Sequence, residues 1–152
     1  MSSVIYLAAG CFWGVQEKLK QIPGVLETEV GYSGGKIQNP TYEEVCRGDT
    51  GHAEVCKVTF ESSSMDNLLE GFFEIHDPTQ LNRQGMDIGD QYRSAIFVTS
   101  PEQKQKAQAC VEKLNLSHSS EIVTKVEDFS NYTKAEEYHQ DYVQKKGWSC
   151  AF

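Results

Sequence analysis

The chain has no run of apolar residues long enough to cross a membrane: the first, Val4 to Ala9, is six residues, against the ~18 that a span requires. Leu7-Ala8-Ala9-Gly10-Cys11 has the outline of a lipoprotein cleavage box. No basic residue precedes it, however, and the apolar stretch is shorter than the ~7–15 residues of a signal sequence, so a cytoplasmic protein is expected. Basic residues are scarce as well. Fourteen Lys and Arg stand against 22 Asp and Glu, a formal charge of -8, with no Lys/Arg cluster; nucleic acid and anionic membrane are therefore not expected partners. There is no CxxC pair, and the His52/Cys56 and Cys46/Cys56 spacings match no common zinc pattern, so no metal is expected. Nor is there a Gly-rich phosphate loop, an internal repeat or a low-complexity linker, and no cofactor is expected.

What remains is the composition of one folded domain. Hydrophobic residues make up 39% and charged residues 24% of 152 positions, enough to bury a core without disulfide staples. The odd count of five cysteines, Cys11, Cys46, Cys56, Cys110 and Cys150, predicts reduced thiols, with Cys56 and Cys110 serving as small apolar packing.

Periodicity predicts a strand at Val4–Ala8, then a helix from Phe12 to Gln21 that ends at Pro23-Gly24. A second strand follows at Val25–Tyr32. Asn39-Pro40-Thr41-Tyr42-Glu43 reads as a short helix start with Pro40 at the first helical position. His52–Phe60 reads as a strand with His52, Glu54, Cys56, Val58 and Phe60 on one face. Ser63 to His76 is a helix with an inward stripe of Leu68, Leu69, Phe72, Phe73 and His76. Thr79–Gly89 has no periodicity, and a loop of that length in a small domain is often functional. A strand at Tyr92–Thr99, a helix from a Ser100–Gln103 capping box to about Leu114, and a strand at Ile122–Val126 come next. Thr133–Glu136 reads as the cap of a last helix bearing Tyr138, His139 and Tyr142, and Gly147 as the start of a mobile tail, about 146–152. The order predicts an α+β domain over 1–152: helices packed as a sandwich on a mixed sheet, with a split βαβ, ferredoxin-like core.

Cys11 lies where the first strand hands over to the first helix. Helix N-terminal amides lower a thiol's pKa, which makes Cys11 either a nucleophile or a buried structural cysteine. Phe12 and Trp13 by themselves read as core more readily than as a pocket; beside an exposed thiol, however, their faces would hold a methyl or thioether group, pointing to a sulfur-containing substrate. Glu54, on a strand face with apolar neighbours, is either a carboxyl kept neutral by desolvation and available as an acid or an edge-strand surface charge.

The ordered set Gly10-Cys11-Phe12-Trp13-Gly14, Gly31-Tyr32-Ser33-Gly34-Gly35, Asn39-Pro40-Thr41-Tyr42, Gly48-Asp49-Thr50-Gly51-His52-Ala53-Glu54, His76-Asp77-Pro78-Thr79-Gln80, Gln84-Gly85-Met86-Asp87, Gln91-Tyr92-Arg93-Ser94 and His139-Gln140 resembles the methionine sulfoxide reductase A family over nearly the whole chain. The resemblance implies that a thiolate attacks the sulfoxide sulfur of the S epimer, free or in proteins, while a buried carboxyl protonates the oxygen. Methionine then leaves and a sulfenic acid remains. Carried over, Cys11 is the nucleophile, Phe12 and Trp13 hold the methyl, and Glu54 is the acid. Tyr42 and Tyr92 bond the oxygen, Asp87 orders the network, and His139 is left without a role. A general thiol-disulfide or peroxide-reducing protein would need Cys11 and Cys150 but neither the aromatic pair nor Glu54. A module binding oxidised methionine without turnover is the third reading.

The resemblance also implies that the sulfenic acid condenses with a second thiol to a disulfide opened by thioredoxin. Cys150, beyond Gly147, is the expected resolving residue, since a tail closes a loop at modest entropic cost; Cys46 is the alternative. The protein is expected to be a monomer.

Overall fold

In a computed structural model, which describes residues 1–48, 50–117 and 120–146, β1 (Ser2–Ala9) runs through the middle of a six-stranded sheet. Its C-terminal five residues are buried on both faces, as their unbroken apolar character requires. β1 stops at Gly10, whose φ of +104° is unsuited to other residues and whose missing Cβ would sit 2.9 Å from that of Gln84. Helix α1 (Phe12–Leu19) starts immediately afterwards with Cys11 as its N-cap residue. The helix turns its Val15 and Leu19 onto the sheet, and Pro23-Gly24 lead into β2 (Val25–Ser33).

The rest of the sheet is β3 (Ala53–Glu61), β6 (Ser94–Val98), β7 (Lys125–Asp128) and β8 (Tyr132–Lys134), in the order β7-β6-β1-β3-β2-β8. Among the described residues only the β6–β7 pairing is parallel. Both β1 and β2 run antiparallel to the β3 strand between them, so the connection through α1 joins parallel strands one place apart. Helices α3 (Met65–Glu74) and α4 (Pro101–Ser117) cover the same face as α1. That face supplies the larger core, in which Ile5, Leu7, Cys56, Val58 and Ile96 of the sheet meet Leu68, Phe72 and Ala107 of the helices. The opposite face, with Tyr6, Ala8, Val55 and Phe97, is covered by Phe129 and Tyr132; Tyr6 stacks on Phe129 at 4.4 Å. An α+β sandwich on a mixed sheet is therefore observed, and no helix among the described residues is long and apolar enough to cross a membrane.

Several boundaries differ from expectation for identifiable reasons. The short helix is α2 (Tyr42–Cys46), capped by Thr41 in a reciprocal box with Glu44 rather than by Asn39; Asn39 turns left-handed (φ 50°) and Pro40 precedes the cap. His76 falls just beyond α3, where it bonds the Phe72 carbonyl and the Ser94 hydroxyl. The aperiodic Thr79–Gly89 segment contains a small hairpin, β4 (Arg83–Gln84) and β5 (Asp87–Ile88). Gln84 pins the hairpin by accepting from the Asp77 N–H and donating to the Asp77 carbonyl, both at 2.9 Å. Strand β7 begins three residues later than expected, at Lys125.

The largest departure is the last helix. Thr133 and Lys134 do not cap anything; they form β8, pairing with Tyr32 and Gly31 of β2. Glu137–His139 is a single 3-10 turn, and helix α5 (Tyr142–Lys146) starts only at Tyr142. Two side chains from this segment close the sheet margin. Gln140 accepts from the Val30 N–H at 2.8 Å and donates to the Val30 carbonyl at 2.9 Å, acting as a strand residue would. Glu136 accepts from the Tyr32 hydroxyl and from the Tyr42 backbone N–H, tying α2 to β2. The expected tail begins within α5 at 146 and otherwise lies, with Cys150, outside the described residues.

Candidate active site

The site forms where the C-terminal end of β1 meets the start of β3. Strand alternation puts Glu54 on the same face as Cys56, Val58 and Phe60, as the sequence pattern predicts, and all four are buried. Glu54 is 1% exposed. One carboxyl oxygen accepts the Phe12 N–H at 3.2 Å; the other, Oε2, is buried and has no hydrogen-bond partner among the described residues. Burial, with a smaller contribution from the Asp87 charge, drives the Glu54 carboxyl up to about 8 against the counter-pull of the Phe12 N–H. At neutral pH it is therefore mainly protonated.

Cys11 is only partly exposed and keeps its thiol. The backbone N–H groups of Trp13 and Gly14 lower its pKa, as a helix start should, but burial and the Glu54 charge outweigh them and push it up to about 12. This corrects the expectation that the helix start by itself activates the thiol. The Glu54 contribution exists only while Glu54 is ionised, so protonation of that carboxyl removes it.

Tyr42, on α2, and Tyr92, in the 3-10 turn Asp90–Tyr92, have hydroxyl pKa values raised by burial first and by Glu54 second. Both stay protonated and can donate. Tyr92 also experiences Asp87 and Cys11, and the Tyr42 hydroxyl bonds Cys46. Asp87, on β5, is exposed, and its charge reaches Cys11, Glu54 and Tyr92. The structure thus brings Cys11, Glu54, Tyr42, Tyr92 and Asp87 to one place.

The aromatic pair divides. Phe12 is 0% exposed and packs with Val30, Tyr32, Val45 and Ala135, with the Tyr42 ring 6.2 Å away. Trp13 is partly exposed and held from both sides: it stacks on Tyr142 at 4.0 Å and 11°, and its Nε1–H donates to Nδ1 of His139 at 2.8 Å. Those partners escaped the sequence reading, which put them on a helix without a task. The close spacing of Tyr138, His139 and Tyr142 was the available signal. His139 accepts through Nδ1 and so carries its proton on Nε2, which is buried and has no partner among the described residues. A cavity of about 520 Å³ opens here between Trp13, Tyr42, Tyr138, His139 and Tyr142, with Lys145 at its margin.

A partly exposed thiol at a helix start thus meets a buried, protonated carboxyl and two hydroxyl donors. The family model for peptide methionine sulfoxide reductase matches residues 3–150. The peptide methionine sulfoxide reductase MsrA of Methanoculleus marisnigri is 52% identical over 143 residues, covering 91% of this chain and 87% of that protein. Among solved structures, methionine sulfoxide reductase A of Corynebacterium diphtheriae superimposes with a TM-score of 0.89 at 36% identity, over 99% of this chain and 77% of that one. Mxr1 of Saccharomyces cerevisiae in reduced form gives a TM-score of 0.91 at 35% identity, over 98% and 89%; the same yeast protein in complex with Trx2 gives 0.66 at 23%, over 93% and 84%. The chain belongs to the peptide methionine sulfoxide reductase family, whose members reduce methionine sulfoxide.

Proposed function

We propose that this protein reduces the S epimer of methionine sulfoxide, free or in proteins, with Cys11 as nucleophile and Glu54 as acid. The observation that carries this reading is the second oxygen of Glu54, buried and unpartnered, on a carboxyl held neutral beside a helix-start thiol. An orphaned polar atom in such a position is a group reserved for the reacting molecule.

The Cys11 sulfur attacks the sulfoxide sulfur while Glu54 gives its proton to the oxygen, aided by the Tyr42 and Tyr92 hydroxyls. A sulfur–sulfur bond forms; the hydroxyl then passes to the Cys11 sulfur as its bond to the methionine sulfur and the sulfur–sulfur bond break, so methionine leaves and Cys11 is left as a sulfenic acid. Glu54, now a carboxylate, takes up the proton that Cys11 surrenders, so the acid is restored within the turnover. Asp87 helps hold the Glu54 proton, since its charge raises that pKa. Trp13 supplies the face for the terminal methyl, and Phe12, being fully covered, sets the wall from behind.

Recycling uses a second thiol. Cys150 condenses with the sulfenic acid, water leaves, and the Cys11–Cys150 disulfide is opened by thioredoxin through two thiol exchanges; a yeast relative solved with Trx2 supports a partner of that kind. Cys46 is the alternative resolving residue, supported by its bond to Tyr42. The four described cysteines are free thiols, consistent with the reduced enzyme. We further read residues 1–152 as one catalytic domain, monomeric and cytoplasmic. We assign it a split βαβ, ferredoxin-like core, supported by β6-β1-β3-β2 at the sheet centre.

The test offers dithiothreitol with each epimer of a methyl sulfoxide and with hydrogen peroxide. Reduction of the S epimer alone is expected. Peroxide reduction without sulfoxide reduction would replace this reading with a thiol peroxidase, and tight sulfoxide binding without turnover would replace it with a binding module.

A further inference from the structure

Three polar side chains buried on the helix side of the sheet, His76, Ser94 and Thr124, touch none of the reacting groups, yet they form one chain of hydrogen bonds. Its direction is fixed. Nδ1 of His76 lies 2.7 Å from the Phe72 carbonyl, which can only accept, so the ring proton is on Nδ1. Burial keeps the imidazole neutral by pushing its pKa down to about 4. Nε2 is then an acceptor, and the Ser94 hydroxyl, 2.8 Å away, donates to it. With its one proton committed, Ser94 accepts from the Thr124 hydroxyl at 2.7 Å. None of the three can reorient without leaving a buried partner unpaired.

The pieces that this network joins are the ones that carry the site. Ser94 is the first residue of β6, two positions after Tyr92, and it pairs with Ala9, two positions before Cys11. His76 is followed at once by Asp77, whose backbone clasps Gln84, and Gln84 fills the place that a side chain at Gly10 would take. The Val123 N–H donates to the Pro78 carbonyl at 2.8 Å, which fixes the Thr124 end to the same turn. Arg93 ties the Asp90–Tyr92 turn to the Gly51 carbonyl; Ser94 anchors that turn toward the helices. A hydroxyl that stabilises charge on a sulfoxide oxygen is effective only when it is aimed from a fixed place relative to the attacking sulfur.

We propose that His76, acting through the Ser94 hydroxyl, is a positioning residue for the reductive step: it fixes the Tyr92 turn against the end of β1, so that the Tyr92 hydroxyl and the Cys11 sulfur meet the same sulfoxide. The proposal rests on the reductase reading above. Its test follows single-turnover release of methionine from methionine-S-sulfoxide by the full chain over a range of substrate concentrations. All rates are taken well below each variant's melting temperature, because an unpaired buried partner also costs stability. His76→Gln can still place an acceptor where Nε2 stood; the shorter His76→Asn cannot. His76→Asn and Ser94→Ala are expected to lower the rate constant about tenfold, part of what loss of a whole donor costs, while the half-saturating sulfoxide concentration changes less than about twofold. His76→Gln should recover most of the rate. In a Tyr92→Phe background, Ser94→Ala should cost less than about twofold more, since the hydroxyl that it positions is gone. Wild-type rate constants in both His76→Asn and Ser94→Ala overturn the proposal. So does an equal loss from Ser94→Ala with and without the Tyr92 hydroxyl, which would make the network a general support of the fold. If His76→Asn does not fold, Ser94→Ala and its cycle with Tyr92→Phe decide alone. If wild type released no methionine, the reductase reading would itself fail and the positioning role with it.

Discussion

Cys11 and Cys56 lie on neighbouring strands or their extensions, and burial raises the pKa of both. Cys56 sits wholly inside the helix-side core among Leu7, Val58 and their neighbours. Cys11 sits a few residues beyond β1, where the Trp13 and Gly14 amides face its sulfur and the Glu54 carboxyl stands behind. The difference is not the depth of burial alone. Around Cys56 the charges that act beside burial, Asp141, Glu29 and Lys20, pull in opposite directions; around Cys11 the largest contribution after burial is the charge of Glu54, which a single proton removes. A thiol in a protein becomes chemically useful when its inhibition is conditional.

The sharpest way to break that comparison is Cys11→Ser. Sulfoxide reduction in a dithiothreitol-driven assay should vanish while the circular dichroism spectrum is unchanged, because a hydroxyl supplies no comparable nucleophile at neutral pH. Residual turnover at wild-type rate would move the chemistry to another cysteine.

Next in size is Glu54→Gln, expected to slow the reductive step roughly 10²–10⁴-fold in single turnover. In wild type the same step should decline as pH rises through about 8, when Glu54 loses its proton, and the variant's profile should lack that limb. Stability should fall with rising pH as well, over a lower interval. The folded-state pKa lies above the ordinary glutamate value of 4.5, so the unfolded chain binds fewer protons than the folded one between those values, and stability falls as pH rises from about 4.5 to about 8. Thermal melts should therefore show Glu54→Gln gaining on wild type across that interval; parallel curves would mean that Glu54 is ionised in the fold.

Trp13→Ala sharpens the contrast at the rim of the site. It removes the stack on Tyr142 and the donor to His139, and the preference for methyl over ethyl sulfoxides should drop from within the 10–200-fold that one methylene can confer toward unity. Unchanged discrimination would take the methyl pocket elsewhere.

The smallest effect belongs to Cys56→Ala. It should leave turnover alone and cost about 1 kcal/mol from lost packing, lowering Tm by a few degrees. A large loss of activity here would erase the distinction between the two thiols.

How much of this could be read in advance depended on how local the cause was. The alternation from His52 to Phe60 correctly put Glu54 on a buried face, because strand periodicity is a property of the segment itself. The N-terminal position of Cys11 was equally readable. Its net pKa was not, since that depends first on burial by the folded chain and then on Glu54 arriving from 43 positions away. Thr133 to Glu136 carried a plausible capping pattern, yet pairing with β2, the Ala135 N–H bond to Val30 and the Glu136 carboxyl shared by Tyr32 and Tyr42 won over it. His139 and Tyr142 found their roles only through that rearrangement.

The bond between Gln140 and Val30 has a meaning beyond architecture. Strand β8 shields only Gly31 to Ser33, so the first part of β2 would otherwise present open peptide groups to any extended chain. The Gln140 amide occupies both groups of Val30, Glu27 and Glu29 add like charges just before it, and a register shift between Val25 and Glu27 bends the remainder. By plugging its own margin with a side chain, the protein leaves less of β2 open to an extended segment of another chain.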